Sequence, residues 1–351
     1  ATRAKLTMQT PEEAARWVRL NDRLRVYSAR PYLLVTNRGP REEGYTYCTK
    51  CGLIEPTATS DGTVGAAHRK PFPVLRDQNC SGGGATKGLV LGTDFISDVL
   101  LVSLTVEPPL TLTPGLLATD VALRTVSEAL TKAACMRLEL EATELQAEYR
   151  PALTVAGREG RESEIYIYDT LPGGAGFAQR VGELGLSVFE GALRVLQECA
   201  ADCDRSCYRC LRSYKNKFEH ELLDRHVGAS LLRFVLHGET PTLPPSRLDR
   251  STELLFQDLD RHGLDGLTLT RNAPVSVPGL SDIVAPILAT TRNGSQFAIG
   301  LHGPLTPGMP PDEGLCKLKE FSLSVPVVLV DELVVRRNLP SATSSLLAKF
   351  L

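Results

Sequence analysis

Apolar positions along the chain change period several times, and each change marks an element. Leu116, Leu117, Val121, Leu123, Val126, Leu130 and Ala134 recur at three- and four-residue spacing, which predicts a helix with one buried stripe. Before it, residues 32–36, 89–92 and 99–106 are β-rich and unbroken, the pattern of buried strands. After it, residues 136–140 and 145–149 alternate, and residues 165–169 form another strand-like run. Helical spacing returns at 178–183, 186–199 and 221–236. At the start of the chain, Thr10 as N-cap, Pro11 at the first helical position and Glu13 closing a capping box predict a helix through Leu20.

A Pro-rich break at 240–246 separates a last module. It reads as a helix at 252–262, strands at 268–269, 282–288, 297–301 and 325–330, and a closing helix at 341–351. The pattern as a whole predicts an α+β fold: an N-terminal segment (1–87), a mixed α/β domain (88–238) and a small C-terminal α/β module (247–351).

Composition narrows the function. The 351 residues suffice for two or three domains with real cores. A net charge of −2 excludes a globally basic protein that coats DNA, so any polyanion-binding surface must be local. There is no signal peptide and no apolar run near membrane-spanning length, so a cytoplasmic protein without membrane contact is expected. No GxxxxGK[ST] loop is present, so the chain carries no P-loop ATPase of its own. The chain opens on Ala1 rather than Met, which leaves open that it is a piece of something larger.

Seven of the nine cysteines fall into two groups. Cys199, Cys203, Cys207 and Cys210 crowd into a dozen residues. In a reducing compartment such crowding favours a tetrahedral Zn²⁺ site over disulfides. Cys48 and Cys51 form a CxxCG knuckle, with His68 and Cys80 downstream on a segment poor in apolar residues, and these predict a second zinc. Cys135 and Cys316 are left as singletons, expected in the core.

Residues 205–217 carry Arg205, Arg209, Arg212, Lys215 and Lys217 with no acid, interleaved with Tyr208 and Tyr214. Beside a metal knuckle, this is a candidate surface for nucleic acid, with cations for phosphates and rings for bases. Asp169 through Gly176 join a strand to a helix, with Gly173, Gly174 and Gly176 in the turn. A phosphate loop is conceivable there, but a tight structural turn capped by Asp169 is the stronger reading.

Taken together, Leu91-Gly-Thr-Asp94, Tyr168-Asp-Thr-Leu-Pro-Gly-Gly-Ala-Gly-Phe177 and the four-cysteine knuckle through Leu211 resemble the MrfA-type zinc-binding domain. That domain lies at the C-terminal end of superfamily 2 helicases and in partners of phage-defence helicases of the DISARM and Druantia systems. The resemblance implies that Cys199, Cys203, Cys207 and Cys210 are metal ligands near the nucleic-acid track of a DNA translocase, with the motor in cis or in trans. The Cys48 group looks like the extra finger that precedes this domain in longer members. The last module resembles a degenerate PD-(D/E)xK (restriction-endonuclease-like) fold. Asp282 matches its first acid, but Gly300 and His302 stand where a carboxylate and its partner would be needed. The expectation is therefore a non-catalytic DNA-binding region of a helicase in phage defence or DNA repair. A metal-dependent nuclease and a zinc-stapled protein scaffold are the alternatives.

Overall fold

A computed structural model of the chain describes residues 5–7, 17–59, 62–74, 77–151, 160–263, 265–277, 283–321 and 325–349. The N-terminal part contributes strands β1 (Lys5–Thr7), β2 (Val18–Arg19), β3 (Leu24–Ala29) and β4 (Tyr32–Asn37). Next come the short strands β5 (Tyr45–Cys48), β6 (Ile54–Pro56), β7 (His68–Val74), β8 (Asp77–Cys80) and β9 (Ala85–Leu89). The central part runs β10 (Leu91–Ile96), β11 (Val99–Thr105), α1 (Leu117–Leu138), β12 (Leu145–Pro151), β13 (Glu162–Asp169), α2 (Phe177–Glu183), α3 (Leu186–Gln197) and α4 (Arg225–His237). The last part is α5 (Pro245–His262), β14 (Leu267–Val275), β15 (Ile283–Thr291), β16 (Gln296–His302), α6 (Glu313–Phe321), β17 (Val327–Asp331), α7 (Glu332–Arg337) and α8 (Leu339–Leu347). The fold is α+β, as the pattern predicts.

The main sheet has the order β12-β13-β11-β3-β2, every pair antiparallel. Its strands come from both sides of residue 87, so the zinc-finger strands β5 to β9 are inserted between parts of one sheet system. Strand β11 is buried on both faces, which explains its unbroken apolar run. Leu100, Val102 and Leu104 face the core shared with α1, α3 and α4, while Val99 and Leu101 pack with Leu33, Tyr166 and Tyr168 on the other side. That second face is covered by the small sheet β1-β4-β10. Residues 89–92 are not one strand: β9 pairs with β5 in the finger and β10 pairs with β4, so the chain changes sheets at Val90.

Two other expectations shift. The alternating run 136–140 is not a strand, because α1 continues to Leu138 and ends on Glu139 at φ 56°, whose N–H bonds Cys135 O. A helix-ending residue in the left-handed region need not be glycine, so no glycine marks the stop. Helix α4 starts at Arg225 rather than Glu221, because Asp224 accepts from the N–H groups of His226 and Val227 and fixes the N-terminus there. A 3₁₀ segment, Lys217–Leu222, precedes it. At the chain start, residues 10–16 of the expected helix lie outside the described residues, and Val18–Arg19 is a strand. Cys135 is buried, but Cys316 is exposed on α6 rather than in a core.

In the last part, β14-β15-β16-β17 form one sheet in sequence order, antiparallel except for the parallel pair β16 and β17. A parallel neighbour needs a crossover, and α6 supplies it. Helices α5, α7 and α8 contribute to the core on one face, α6 to that on the other. Among the described residues, no helix is long and apolar enough to cross a membrane.

Candidate metal centres and nucleic-acid interface

In the finger, Cys48 ends β5 and Gly52 (φ 76°) turns the chain so that Cys51 faces back. His68 begins β7 directly opposite Cys80 on β8. The four ligand atoms lie within 4.8 Å of one another, with Cys48 Sγ to Cys80 Sγ at 3.8 Å and Cys51 Sγ to His68 Nε2 at 3.1 Å. Four sulfurs at about 2.3 Å from a zinc would stand about 3.8 Å apart. His68 Nδ1 lies 2.8 Å from Ala66 O. A proton donated there leaves Nε2 free as the ligand, the arrangement that orients metal-binding histidines. Burial pushes the Cys48 thiol up, but backbone N–H groups of Lys50 and Cys51 and the neighbouring thiols outweigh it and bring its pKa down to about 7.

The second tetrad begins just beyond α3. Cys199 Sγ lies 3.7 Å from Cys203 and 3.6 Å from Cys207, and Cys210 lies 3.6 Å from Cys203 and 3.8 Å from Cys207. None of the nine cysteines is joined in a disulfide. Cys207 N–H points at Cys210 Sγ (3.1 Å), and backbone N–H groups of Cys203 and Ala201 help lower the Cys199 pKa to about 6. Arg225, at the start of α4, clamps the loop from within. Its guanidinium donates to Cys203 O (2.6 Å), Gln197 O (3.2 Å) and the Asp202 carboxylate (2.6 Å). Lys132 of α1 donates to Arg209 O at 2.9 Å and also to Cys210 O. Both donor sets fit zinc, and the chain is a zinc-binding protein with two sites.

The Asp169 turn uses its own carboxylates. Buried Asp169 accepts from the N–H groups of Ala175 (2.7 Å), Phe177 (3.0 Å) and Ala178 (2.8 Å), and Asp98 accepts from Gly176 (2.9 Å). Gly173, Gly174 and Gly176 all take positive φ. A Cβ on Gly174 would lie 2.0 Å from Asp98 Oδ2. The anion that the head of α2 attracts is supplied by the protein.

The basic stretch divides once folded. Arg205 pairs with Glu221 (3.4 Å), Arg212 donates to Ser206 Oγ (3.0 Å), and Lys215 reaches inward to Leu145 O (2.7 Å), where burial lowers its pKa. Arg209 is exposed, and no carboxylate among the described residues pairs with it. Lys217 Nζ sits 4.0 Å from the Tyr214 ring centre and 4.9 Å from that of Phe218. Tyr208, Tyr214 and Phe218 are 68%, 79% and 73% exposed. The sequence places Phe218 at the end of the same basic, aromatic stretch, but it was not among the residues expected to meet nucleic acid. The segment is tied down by Glu219, whose carboxylate lies 3.5 Å from buried Arg124 on α1.

Residues 126–211, from α1 through the last cysteine of the knuckle, match the family model of the MrfA Zn-binding domain. The chain carries an MrfA-type zinc-binding domain. It is also 29% identical over 327 residues to Druantia protein DruE of Escherichia coli (strain UMEA 4076-1), an alignment covering 88% of this chain and 16% of that protein. The likeness therefore reaches beyond the MrfA-type domain into both flanks, while the chain spans only about a sixth of that relative's length. A solved structure described as the DUF1998 helicase MrfA bound to DNA aligns with 66% of this chain and 25% of its own, at 12% identity and a TM-score of 0.37.

In the last module, Asp282 lies outside the described residues. Gly300 is buried in β16, and a Cβ there would stand 2.3 Å from Leu315 Cδ1, so the position has no room for a carboxylate. His302 Nδ1 lies 2.8 Å from Gly303 O. Among the described residues, the two tetrads are the only groups of three or more potential ligands gathered closely enough to hold a metal.

Proposed function

We propose that the chain is a DNA-binding region of a superfamily 2 helicase or of its partner subunit. It would act in the cytoplasm in phage defence or DNA repair, with the ATP-driven motor in cis or in trans and without chemistry of its own. The observation that carries this reading is the ledge beside the Cys199 tetrad. Three exposed rings, Tyr208, Tyr214 and Phe218, stand with Lys217 and Arg209 on a loop pinned by the tetrad, Lys132 and Glu219. A charged soluble surface gains nothing by exposing three aromatic rings to water, whereas stacked bases cover them. The name of the Druantia relative supports the defence setting, and the DNA-bound title of the MrfA structure agrees with the ligand.

The sheet order β14-β15-β16-β17, with a helix before it and a crossover helix into its last strand, supports the restriction-endonuclease-like reading of the last module. The closed space at Gly300 favours a docking role over hydrolysis.

Fluorescence anisotropy of the full chain on labelled oligonucleotides tests the main reading. Tyr214→Ala with Phe218→Ala should cost about 1–3 kcal/mol of single-strand affinity per stacked base, while zinc content stays at two per chain. Wild-type protein that binds no DNA at low salt, or a folded double variant that binds as well as wild type, would move the protein-scaffold reading to first place.

A further inference from the structure

A cleft of about 400 Å³ opens between the C-terminal end of α1 and the length of α3, beside the knuckle. The two helices are in contact there: a Cβ on Gly191 of α3 would stand 3.4 Å from the Ala133 Cβ of α1. Four cations line it: Arg137 and Lys132 from α1, Arg194 from α3 and Arg209 from the knuckle. Lys132 is engaged with the backbone carbonyls of Arg209 and Cys210. The three arginines are exposed, and among the described residues no carboxylate forms an ion pair with any of them. One carboxylate, Glu198, also lines the cleft. Its floor is apolar: Val195 and Met136 line it, Met136 being 66% exposed near the C-terminal end of α1.

The geometry points to a binding site for one nucleotide of a single DNA strand, an inference that rests on the DNA-binding reading above. Three unpaired guanidinium groups around an apolar floor match a phosphodiester backbone that carries a base. Guanidinium forks bind phosphate oxygens in pairs, and a thioether against an aromatic ring face or edge is a favourable contact. The cleft volume falls in the range that holds one small ligand, about 300–1,000 Å³. A cleft of about 400 Å³ has room for a base turned in from a single strand, whereas the bases of a duplex are stacked and paired and would have to be extruded to enter it. Arg209 belongs to both the cleft and the aromatic ledge, so a strand leaving the cleft runs onto Tyr208 and Tyr214. Arg137 and Arg194 lie outside residues 205–217, on α1 and α3, which is why the basic stretch alone did not reveal them.

The test compares Arg137→Ala/Arg194→Ala with the wild-type full chain on a labelled oligo-dT and on a blunt duplex of the same length, across a salt series. Neither arginine makes an ion pair among the described residues, so zinc content and melting temperature should hold. Single-strand affinity should fall at least tenfold at low salt, and the slope of log K against log[salt] should drop by about 1.4, at about 0.7 per lost phosphate contact. Duplex binding should change little. Arg137→Lys/Arg194→Lys should keep most of the slope, and Met136→Ala should weaken single-strand binding without altering it. A folded Ala variant with unchanged single-strand affinity and slope, or one that loses duplex and single strand equally, overturns the cleft and leaves the ledge standing. Wild-type protein that binds neither DNA removes both readings together.

Discussion

The finger tetrad and the knuckle tetrad hold metal ligands at nearly the same spacing on very different supports. Behind Cys48 and Cys80 the buried cluster contains only Val64 besides the two cysteines, with Cys51 and Leu53 partly buried against it. The knuckle instead adjoins the main core: Cys210 and Leu211 are buried in it, and Cys199, Cys203 and Cys207 pack against it. Arg225 and Lys132 also hold the knuckle's carbonyls by hydrogen bonds that need no metal. In the finger, then, the metal replaces a core; in the knuckle it fixes the shape of a loop that the core already supports. The difference also suits their positions, since the finger is an insertion between strands and the knuckle carries the residues proposed above to meet DNA.

Removing one ligand from each site should expose this contrast most strongly. Cys51→Ser should cost most of the finger's structure, because structural zinc supplies on the order of 10 kcal/mol to folds of this size. Hydrogen exchange should lose protection throughout residues 45–89 while the main sheet stays protected. Cys207→Ser should also reduce zinc from two per chain to one, yet its loss of protection should stay within residues 199–217, with α3 and α4 intact. If both variants unfold equally wide regions, the proximity of the knuckle to the core does not stabilise it independently.

The same contrast governs what could be read from sequence. The knuckle ligands are close in sequence and so must meet in space, whereas His68 and Cys80 join the CxxCG pair from farther along the chain; the ordered partner of His68, Ala66 O, became visible only in three dimensions. Strands and helices with one clear period, such as β11, α1 and β13, were legible. Helices α6 and α7 were missed although each has an acidic cap that the sequence shows: Asp312 accepts from Leu315 N–H (2.8 Å) at the start of α6 and Asp331 from Leu333 N–H (2.8 Å) at the start of α7. Nor could sequence reveal which cations of residues 205–217 turn inward. The carbonyl that takes Lys215 belongs to Leu145, 70 residues away, and the acids around Arg124 come from α1, β12 and the 3₁₀ segment before α4.

Arg225 sharpens the comparison at a smaller scale. Its guanidinium is buried, and replacing it with Ala leaves the carbonyls of Cys203 and Gln197 without their donor. The Asp202 carboxylate is exposed and is left in water, so the cost is that of the unsatisfied carbonyls, about 1–3 kcal/mol. Arg225→Ala should therefore lower the melting temperature of the knuckle domain while zinc analysis still finds two ions per chain. The finger should show unchanged exchange. Loss of the knuckle zinc in this variant would mean that the metal depends on the clamp and does not hold the loop by itself.

The smallest effect is a pH dependence that the knuckle's support should show with the sign opposite to that of a metal site. Arg124 is buried and shared by Glu128 (3.3 Å), Glu148 (3.1 Å) and Glu219 (3.5 Å). Burial raises the Glu148 pKa to about 7; Arg124 opposes that rise, and the neighbouring carboxylates of Glu219 and Glu128 reinforce it. A carboxyl group with a folded pKa above its unfolded value, near 4.5, keeps its proton longer in the folded state. Its contribution is therefore full below about pH 4.5 and is lost as pH rises through about 7. Zinc ligands behave oppositely, since thiolates form and bind more tightly as pH rises. Comparing wild type with Glu148→Gln at fixed zinc cancels the metal contribution. Between pH 5 and 7, wild type should lose stability relative to the variant, with a slope of at most about 1.4 kcal/mol per pH unit for one proton. Parallel stability curves for the two proteins would show that Glu148 is ionised throughout, and that Arg124 alone outweighs its burial.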